Sequence, residues 1–148
     1  MNNAPRMMWI GRHEGMLRDI SRGVAYGDPK SINIAAYTMR GWLADGSVLV
    51  PMPSHIGYAT TSLMLCRELK RLNRSYKVLD ALRCEPHPSS HGEKLDGRFP
   101  MNFATFRKDG VEVPEGAYII DNCISTGTTA LSALAALPSA IVFAITKG

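Results

Sequence analysis

Apolar positions fall along the chain in a few short runs, and the spacing inside each run predicts its element. Ser47-Val48-Leu49-Val50-Pro51-Met52-Pro53 is apolar on both alternating faces and closes on prolines, the pattern of a buried parallel strand. The period then changes. Between Ala59 and Leu72 the apolar positions Leu63, Leu65, Cys66, Leu69 and Leu72 recur at helical spacing, while Arg67, Lys70 and Arg71 take the polar side. Tyr76 to Leu82 alternates like a strand. Phe99 to Phe106 and Val111 to Pro114 predict two short strands around a turn at Lys108-Asp109-Gly110. Ala117-Tyr118-Ile119-Ile120 is a buried strand, a helix follows from Ala130 to Leu137, and Ser139 to Thr146 is the last buried strand. Residues 1–46 are less periodic: Met7 to Ile10 fits a short strand, and Ile32 to Met39 fits helix or strand. Gly23, Gly27-Asp28-Pro29 and Gly41 mark turns between short elements. Alternating strand–loop–helix units predict an α/β fold with a parallel sheet flanked by helices.

The stretch from Ala117 to Leu131 organises the rest. Four apolar or aromatic residues run into Asp121 and Asn122, and the turn Ser125-Thr126-Gly127-Thr128-Thr129 leads into the helix. Ligands of open α/β sheets bind at such a carboxyl-end junction. Backbone N–H groups from Ser125 to Thr129, the four hydroxyls of that turn and the positive end of a helix dipole converge there. A phosphate monoester suits this cradle, because a dianion meets several donors at once. Gly127 lets the backbone approach it without an intervening Cβ. An ordinary N-cap explains one hydroxyl, not four around a glycine.

At 148 residues the chain predicts one domain with a sizeable core, and 45% hydrophobic with 20% charged residues is an ordinary globular balance. No apolar run has the length of a membrane span, and the N-terminal residues lack a signal-peptide layout. Cys66, Cys84 and Cys123 do not make a disulfide framework, so a reducing cytoplasm is the expected compartment. A net charge of +4 suits an anionic ligand and is too mild to call for nucleic acid.

An apolar strand, Asp, a second polar residue, two further residues and then Ser-Thr-Gly-Thr-Thr resembles the signature of the type I phosphoribosyltransferases. The resemblance spans residues 47–146. It implies a sugar-phosphate transferase that binds phosphoribosyl pyrophosphate (PRPP) with Mg²⁺. Ribose-5-phosphate would pass to a nucleobase-like nitrogen, with release of pyrophosphate. On this resemblance Ser125, Thr126, Gly127, Thr128 and Thr129 hold the 5′-phosphate. Asp121 and Asn122 face the ribose hydroxyls, with Asp121 also toward the metal and Ser125 beside the reacting sugar. The family pattern has a second acid where this chain has Asn122. The loop after the first core strand, with Pro53, Ser54, His55 and Gly57, is implied to hold the diphosphate. Arg83, Lys94 and Arg98, in the long polar stretch from Arg83 to Arg98, are implied to reach over it from a closing loop. Residues 1–46 correspond to a small base-recognising hood and residues 47–148 to the core, with Tyr26, Tyr37 and Trp42 as candidate ring-stacking surfaces or as packing of that subdomain. An arginine followed by Asn102-Phe103-Ala104-Thr105-Phe106 ahead of the Asp121 strand resembles the competence-associated ComF branch. Homodimers are common in the family.

Three alternatives stand beside this reading. Asn122 cannot add negative charge below a ribose, which makes a PRPP- or nucleotide-binding regulator with weak transfer activity the rival. Cys84, His87 and His91 allow a zinc site that lacks a fourth ligand in register. His55 and the polar stretch after Arg83 also read as plain solvated loop. An Asn122→Asp substitution is expected to keep or raise PRPP affinity.

Overall fold

The computed structural model describes residues 6–88 and 103–148. Its centre is a five-stranded, wholly parallel sheet in the order β1-β7-β6-β2-β3. The elements are β1 (Met7–Arg12), α1 (Gly15–Ala25), α2 (Pro29–Met39), a 3₁₀ turn (Arg40–Trp42), β2 (Val48–Pro51), α3 (Thr61–Leu72), β3 (Lys77–Val78), β4 (Leu82–Cys84), β5 (Thr105–Arg107), β6 (Tyr118–Ile124), α4 (Thr128–Ala136) and β7 (Ile141–Lys147). No helix among the described residues is long and apolar enough to cross a membrane.

Continuous apolar runs become the central strands because a parallel sheet buries both of its faces. On β6, Ile119 and Ile120 point to opposite sides and are both fully buried; on β7, Val142, Phe143, Ala144 and Ile145 repeat this. One face carries Leu49, Ile120, Phe143 and Ile145 against Val24 of α1, Ile32 and Met39 of α2, and Leu65 and Leu69 of α3. The other carries Val50, Ile119, Val142 and Ala144 against Ala130 and Ala133 of α4. The helix after β2 and the helix after β6 therefore cover opposite faces, although β2 and β6 are hydrogen-bonded neighbours.

The ambiguous stretch around Ile32 is helical. Pro29 opens α2 with its φ already set, and Asp28 caps it by accepting from the Ser31 amide at 3.0 Å and the Ser31 hydroxyl at 2.7 Å. The expected strand from Tyr76 to Leu82 is cut short. After Val78 the chain makes one more ladder bond, Leu79 N–H to Leu49 O at 2.9 Å, then turns at Ala81. Leu82–Cys84 leave the main sheet to pair antiparallel with Thr105–Arg107. Val111 and Val113 pack on the core without joining a ladder, so the strand expected at Val111 to Pro114 does not form.

The expected division into a hood at 1–46 and a core at 47–148 is corrected by the pairing. β1 is the outer strand of the main sheet, in register with β7 from Met7↔Val142 to Arg12↔Lys147. Val24, Ile32, Ala36 and Met39 share one hydrophobic core with Leu49, Leu65 and Phe143. Residues 1–46 looked separate because β1 sits at an edge, where alternation is blurred by half-exposed positions such as Trp9. The Tyr76 side chain fastens the link. It is fully buried, and its hydroxyl donates to Leu43 O at 2.9 Å and lies 3.3 Å from Arg40 O.

One shared core has a measurable consequence. Tryptophan fluorescence from Trp9 and Trp42 and far-ultraviolet circular dichroism should trace the same single urea transition. Tyr76→Phe, which leaves the Leu43 carbonyl without its buried donor, should lower the stability of that transition by about 1–3 kcal/mol. Two separated transitions would restore an independent N-terminal lobe.

Candidate functional site

The carboxyl ends of β2 and β6 lie side by side, and the helices that follow them cover opposite faces of the sheet, so their loops part. Leu49, Val50 and Pro51 pair with Tyr118, Ile119 and Ile120, and the Met52 amide still reaches Ile120 O at 3.0 Å. β6 then runs on to Ile124 along β7 before its own turn. This is a topological switch point, the place where open α/β sheets receive ligands.

The turn after β6 is built as a cradle. Gly127 is the N-cap of α4 at φ +88°, a left-handed conformation that a residue with a side chain would resist. A Cβ placed there would meet nothing within 4 Å, so the space above the turn is open. Ser125 and Thr126 are exposed, while Gly127, Thr128 and Thr129 are half-buried. Thr126 Oγ1 accepts the Thr128 amide at 3.3 Å and donates to Thr128 Oγ1 at 3.2 Å, which ties the hydroxyls into one cluster. α4 has neither a capping side chain nor an acid in its first turn, and its ladder starts at Leu131 N–H to Gly127 O, 2.8 Å. No acid of the helix's own first turn offsets the positive end of its dipole.

The loop after β2 is closed on itself. Pro53 is buried at its base and His55 is exposed at its tip. The Ser54 amide donates to Tyr58 O and the Gly57 amide to Ser54 O, both at 3.0 Å, and Ser54 Oγ donates to Tyr58 O at 3.0 Å. Gly57 sits at φ +110°, with Cys84 O only 3.1 Å from where a Cβ would be, because β4 crosses there and the Cys84 amide takes Gly57 O at 3.0 Å. His87 extends the brace: its amide donates to His55 O at 2.8 Å and its ring stacks on Phe103 at 3.8 Å. The amides of Ser54 and Gly57 are thus engaged within the protein rather than offered outward.

Asp121 and Asn122 take opposite faces of β6, as strand alternation requires. Asn122 lies with Ile120 on the face of α1. Its amide nitrogen is 3.3 Å from both Ser21 O and Ser21 Oγ, and the fully buried Ser21 hydroxyl donates to Asn122 O at 3.2 Å. This amide holds a helix to the sheet. Asp121 keeps its carboxyl beside its own chain, accepting the Asn122 amide at 2.8 Å, and burial pushes its pKa up to about 6. Arg83 turns back rather than across: its guanidinium is 3.0 Å from Asp80 Oδ1 and 2.8 Å from Leu82 O. Lys94 and Arg98 lie outside the described residues, as does His91 of the zinc alternative. Among the described residues no group of three His, Cys, Asp or Glu is placed to hold a metal.

The aromatics expected to stack on a base are spread apart. Trp42 packs its ring 6.2 Å from Phe143, and Arg40 lies 4.1 Å over Tyr37, both on the stretch that leads into the start of β2. Tyr26 is largely exposed next to Gly27, which approaches Thr61 and Met64 at the start of α3. Sequence reading missed a cluster beside the ends of β6 and β7. His13, after β1, places Nδ1 2.9 Å from Thr146 Oγ1 and 3.7 Å from Cys123 Sγ, and α1 brings Ser21 to Asn122. A lone His and a lone Ser more than a hundred positions from their partners leave no local signal.

Fold and loops define a class: an α/β protein with a five-stranded parallel sheet flanked by helices and a hydroxyl-rich turn at its switch point. Against known families, curated proteins and solved structures, the chain finds no match.

Asp121 carries a pH dependence whose sign follows from its environment. Its folded form holds the proton more tightly than the unfolded chain, so the protein loses stability as pH rises from 3.8 through about 6. Asp121→Asn keeps an acceptor for the Asn122 amide and removes the buried charge. The variant should exceed the parent by on the order of 2–3 kcal/mol at neutral pH, with the gap closing at acid pH, as read from urea unfolding at several pH values.

Proposed function

We propose that this protein is a phosphoribosyltransferase of the type I kind. It binds PRPP in the crevice between β2 and β6 and transfers ribose-5-phosphate to a nitrogen nucleophile. The observation that carries the reading is the open, left-handed Gly127 turn at the amino end of α4, ringed by Ser125, Thr126, Thr128 and Thr129. A sugar phosphate there lays its ribose back along the end of β6, toward Asp121. The parallel sheet flanked by helices is compatible with that fold.

In the reaction the C1′–O bond to the diphosphate breaks ahead of formation of the C1′–N bond, and the leaving pyrophosphate takes the bonding pair. Positive charge gathers at C1′. The turn fixes the 5′-phosphate, which converts an encounter into a positioned reaction. Once ionised, Asp121 offers negative charge near the ribose, where charge develops. A single carboxylate fits a Mg²⁺ ion held chiefly by diphosphate oxygens and water, so Asp121 would be the protein's contribution. Bound in that way, the ion supplies positive charge to the departing diphosphate.

A second reading is binding without efficient transfer. It is favoured by Asn122, whose amide is engaged by Ser21, and by the loop from Ser54 to Tyr58, whose Ser54 and Gly57 amides bond internally. The same contact revises the expectation for Asn122→Asp. A carboxylate would face the Ser21 carbonyl where an amide now donates, so this substitution should destabilise the fold rather than simply improve the site.

Protein incubated with PRPP, Mg²⁺ and a panel of nucleobases should release pyrophosphate; ribose-5-phosphate binding without release would select the second reading. Thr126→Val with Thr128→Val should abolish ribose-5-phosphate binding in calorimetry while the melting temperature stays within a few degrees. Retained affinity would remove the phosphate from this turn.

A further inference from the structure

The two edges of the main sheet are finished differently. At one edge β3 gives only Lys77 and Val78 to the ladder, and Lys77 is exposed. A short edge strand that carries a lysine discourages further pairing. At the other edge β1 runs for six residues, Met7-Met8-Trp9-Ile10-Gly11-Arg12. Its register with β7 is unbroken from Met7↔Val142 to Arg12↔Lys147, so no bulge interrupts it, and it holds no proline and no charge before Arg12. The Val142 amide donates to Arg6 O at 2.7 Å, which turns the backbone groups of the even-numbered residues toward β7. Met7, Trp9 and Gly11 therefore present their N–H and C=O groups outward, and among the described residues no strand pairs with that side. This edge is unguarded.

Charge and side-chain size along the strand fit a second copy of itself. Two antiparallel copies of β1 related by a two-fold axis at Ile10 set Ile10 against Ile10, and Trp9 of each against Gly11 of the other. Trp9 and Gly11 both present outward backbone groups, so they form a hydrogen-bonded pair, and the glycine leaves room beside the indole. At the ends of this register Arg6 of one copy falls beside Glu14 of the other. Both are exposed, and the Glu14 carboxylate makes no capping bond to α1. An axis at Trp9 would instead oppose Arg6 with Arg12, two like charges, so charge selects the Ile10 register. An open cavity of about 440 Å³, lined by Trp9, Arg12, His13, Glu14, Lys147 and Gly148, borders the same end of β1. The antiparallel copy lays Met8 and Trp9 alongside Gly11 and Arg12, at the mouth of that cavity.

We propose that β1 is a docking edge for a second copy of this chain, and that antiparallel β1–β1 pairing about Ile10 joins the two sheets into one of ten strands. Such a contact is isologous and closes on itself, so it yields a dimer and not a fibre. It uses neither the Gly127 turn nor Asp121, and it stands or falls apart from the transferase reading.

Sedimentation equilibrium of the full chain at low salt, over a concentration series, tests this. The parent should pass from monomer to dimer. Arg6→Glu and Glu14→Arg should each weaken association by about fivefold or more, because the axis repeats every contact and each change turns attraction into repulsion. The double variant Arg6→Glu with Glu14→Arg should return to within about twofold of the parent. Lys108→Glu alters net charge as much as Arg6→Glu does but lies outside β1, and it should match the parent. Trp9→Lys places a charge on the edge and should leave a folded monomer. Hydrogen exchange reads the register directly. The Trp9 and Gly11 amides should gain protection as concentration rises, while those of Met8 and Ile10, already bonded to β7, should not change. A parent that stays monomeric up to about 1 mM overturns the proposal. So does a dimer indifferent to the charge reversals, a double variant no better than the single ones, or a dimer whose Trp9 and Gly11 amides exchange as in the monomer. Arg6 and Glu14 are exposed, so their variants keep the test decisive should Trp9→Lys fail to fold.

Discussion

Everything that could act as a site here depends on the parallel pairing of β2 with β6. Two neighbouring strands end at one edge of the sheet, yet the helices that follow them cover opposite faces. Their loops must part, and of the two only the turn after β6 leads straight into a helix amino end, whereas the loop after β2 bonds its Ser54 and Gly57 amides internally. A concave, polar, donor-rich place follows from connectivity alone. The fully buried Ile119 and Ile120 hold β6 at this position, and Ser62 Oγ, donating to Met52 O at 2.5 Å, anchors the start of α3 beside the end of β2.

The two walls of the crevice are built on different principles. In the turn after β6, Gly127 adopts a left-handed conformation with open space where a side chain would be, and the Thr126 and Thr128 hydroxyls meet at the amino end of α4. The loop after β2 is braced from within by Ser54 and Tyr58 and from behind by Cys84 and His87. An open cradle facing a rigid ridge suits a ligand anchored at one end and merely abutted at the other. Asp121 and Asn122 divide their labour in the same spirit. One carboxyl stays beside its own strand with its proton affinity raised; the other position gives its amide to α1 and so sets where that helix can lie. The residue in which this chain departs from the phosphoribosyltransferase pattern is thus also a structural tie.

Strong periodicity was legible from the chain alone. β2, α3, β6, α4 and β7 fall close to where apolar runs and helical spacing predict them, because each buries many apolar atoms against several partners and its pattern cannot be mistaken. The Ser125 to Thr129 turn was legible too, since a glycine among hydroxyls between strand and helix is local information. Less was readable at the edges. β3 is two residues long where seven alternate, because ladder bonds need a partner and only β2 is beside it. The N-terminal 46 residues read as an appendage because an edge strand and two half-exposed helices dilute their pattern. Arg83 looked like a cation for a ligand; its pairing with Asp80 is only three residues away and was available to be noticed.

By itself the sequence determined the α/β character, the central strands and the hydroxyl-rich glycine turn, all of which arise from residues within a dozen positions of one another. The tertiary structure alone decided that β1 belongs to the main sheet, that Asn122 answers to Ser21, and that His13 stands against Cys123 and Thr146, more than a hundred residues away. The physical reason is range. Burial and backbone propensity act through neighbours along the chain, whereas hydrogen-bond partners and electrostatic surroundings are set by which surfaces the fold presses together, and no local pattern records them.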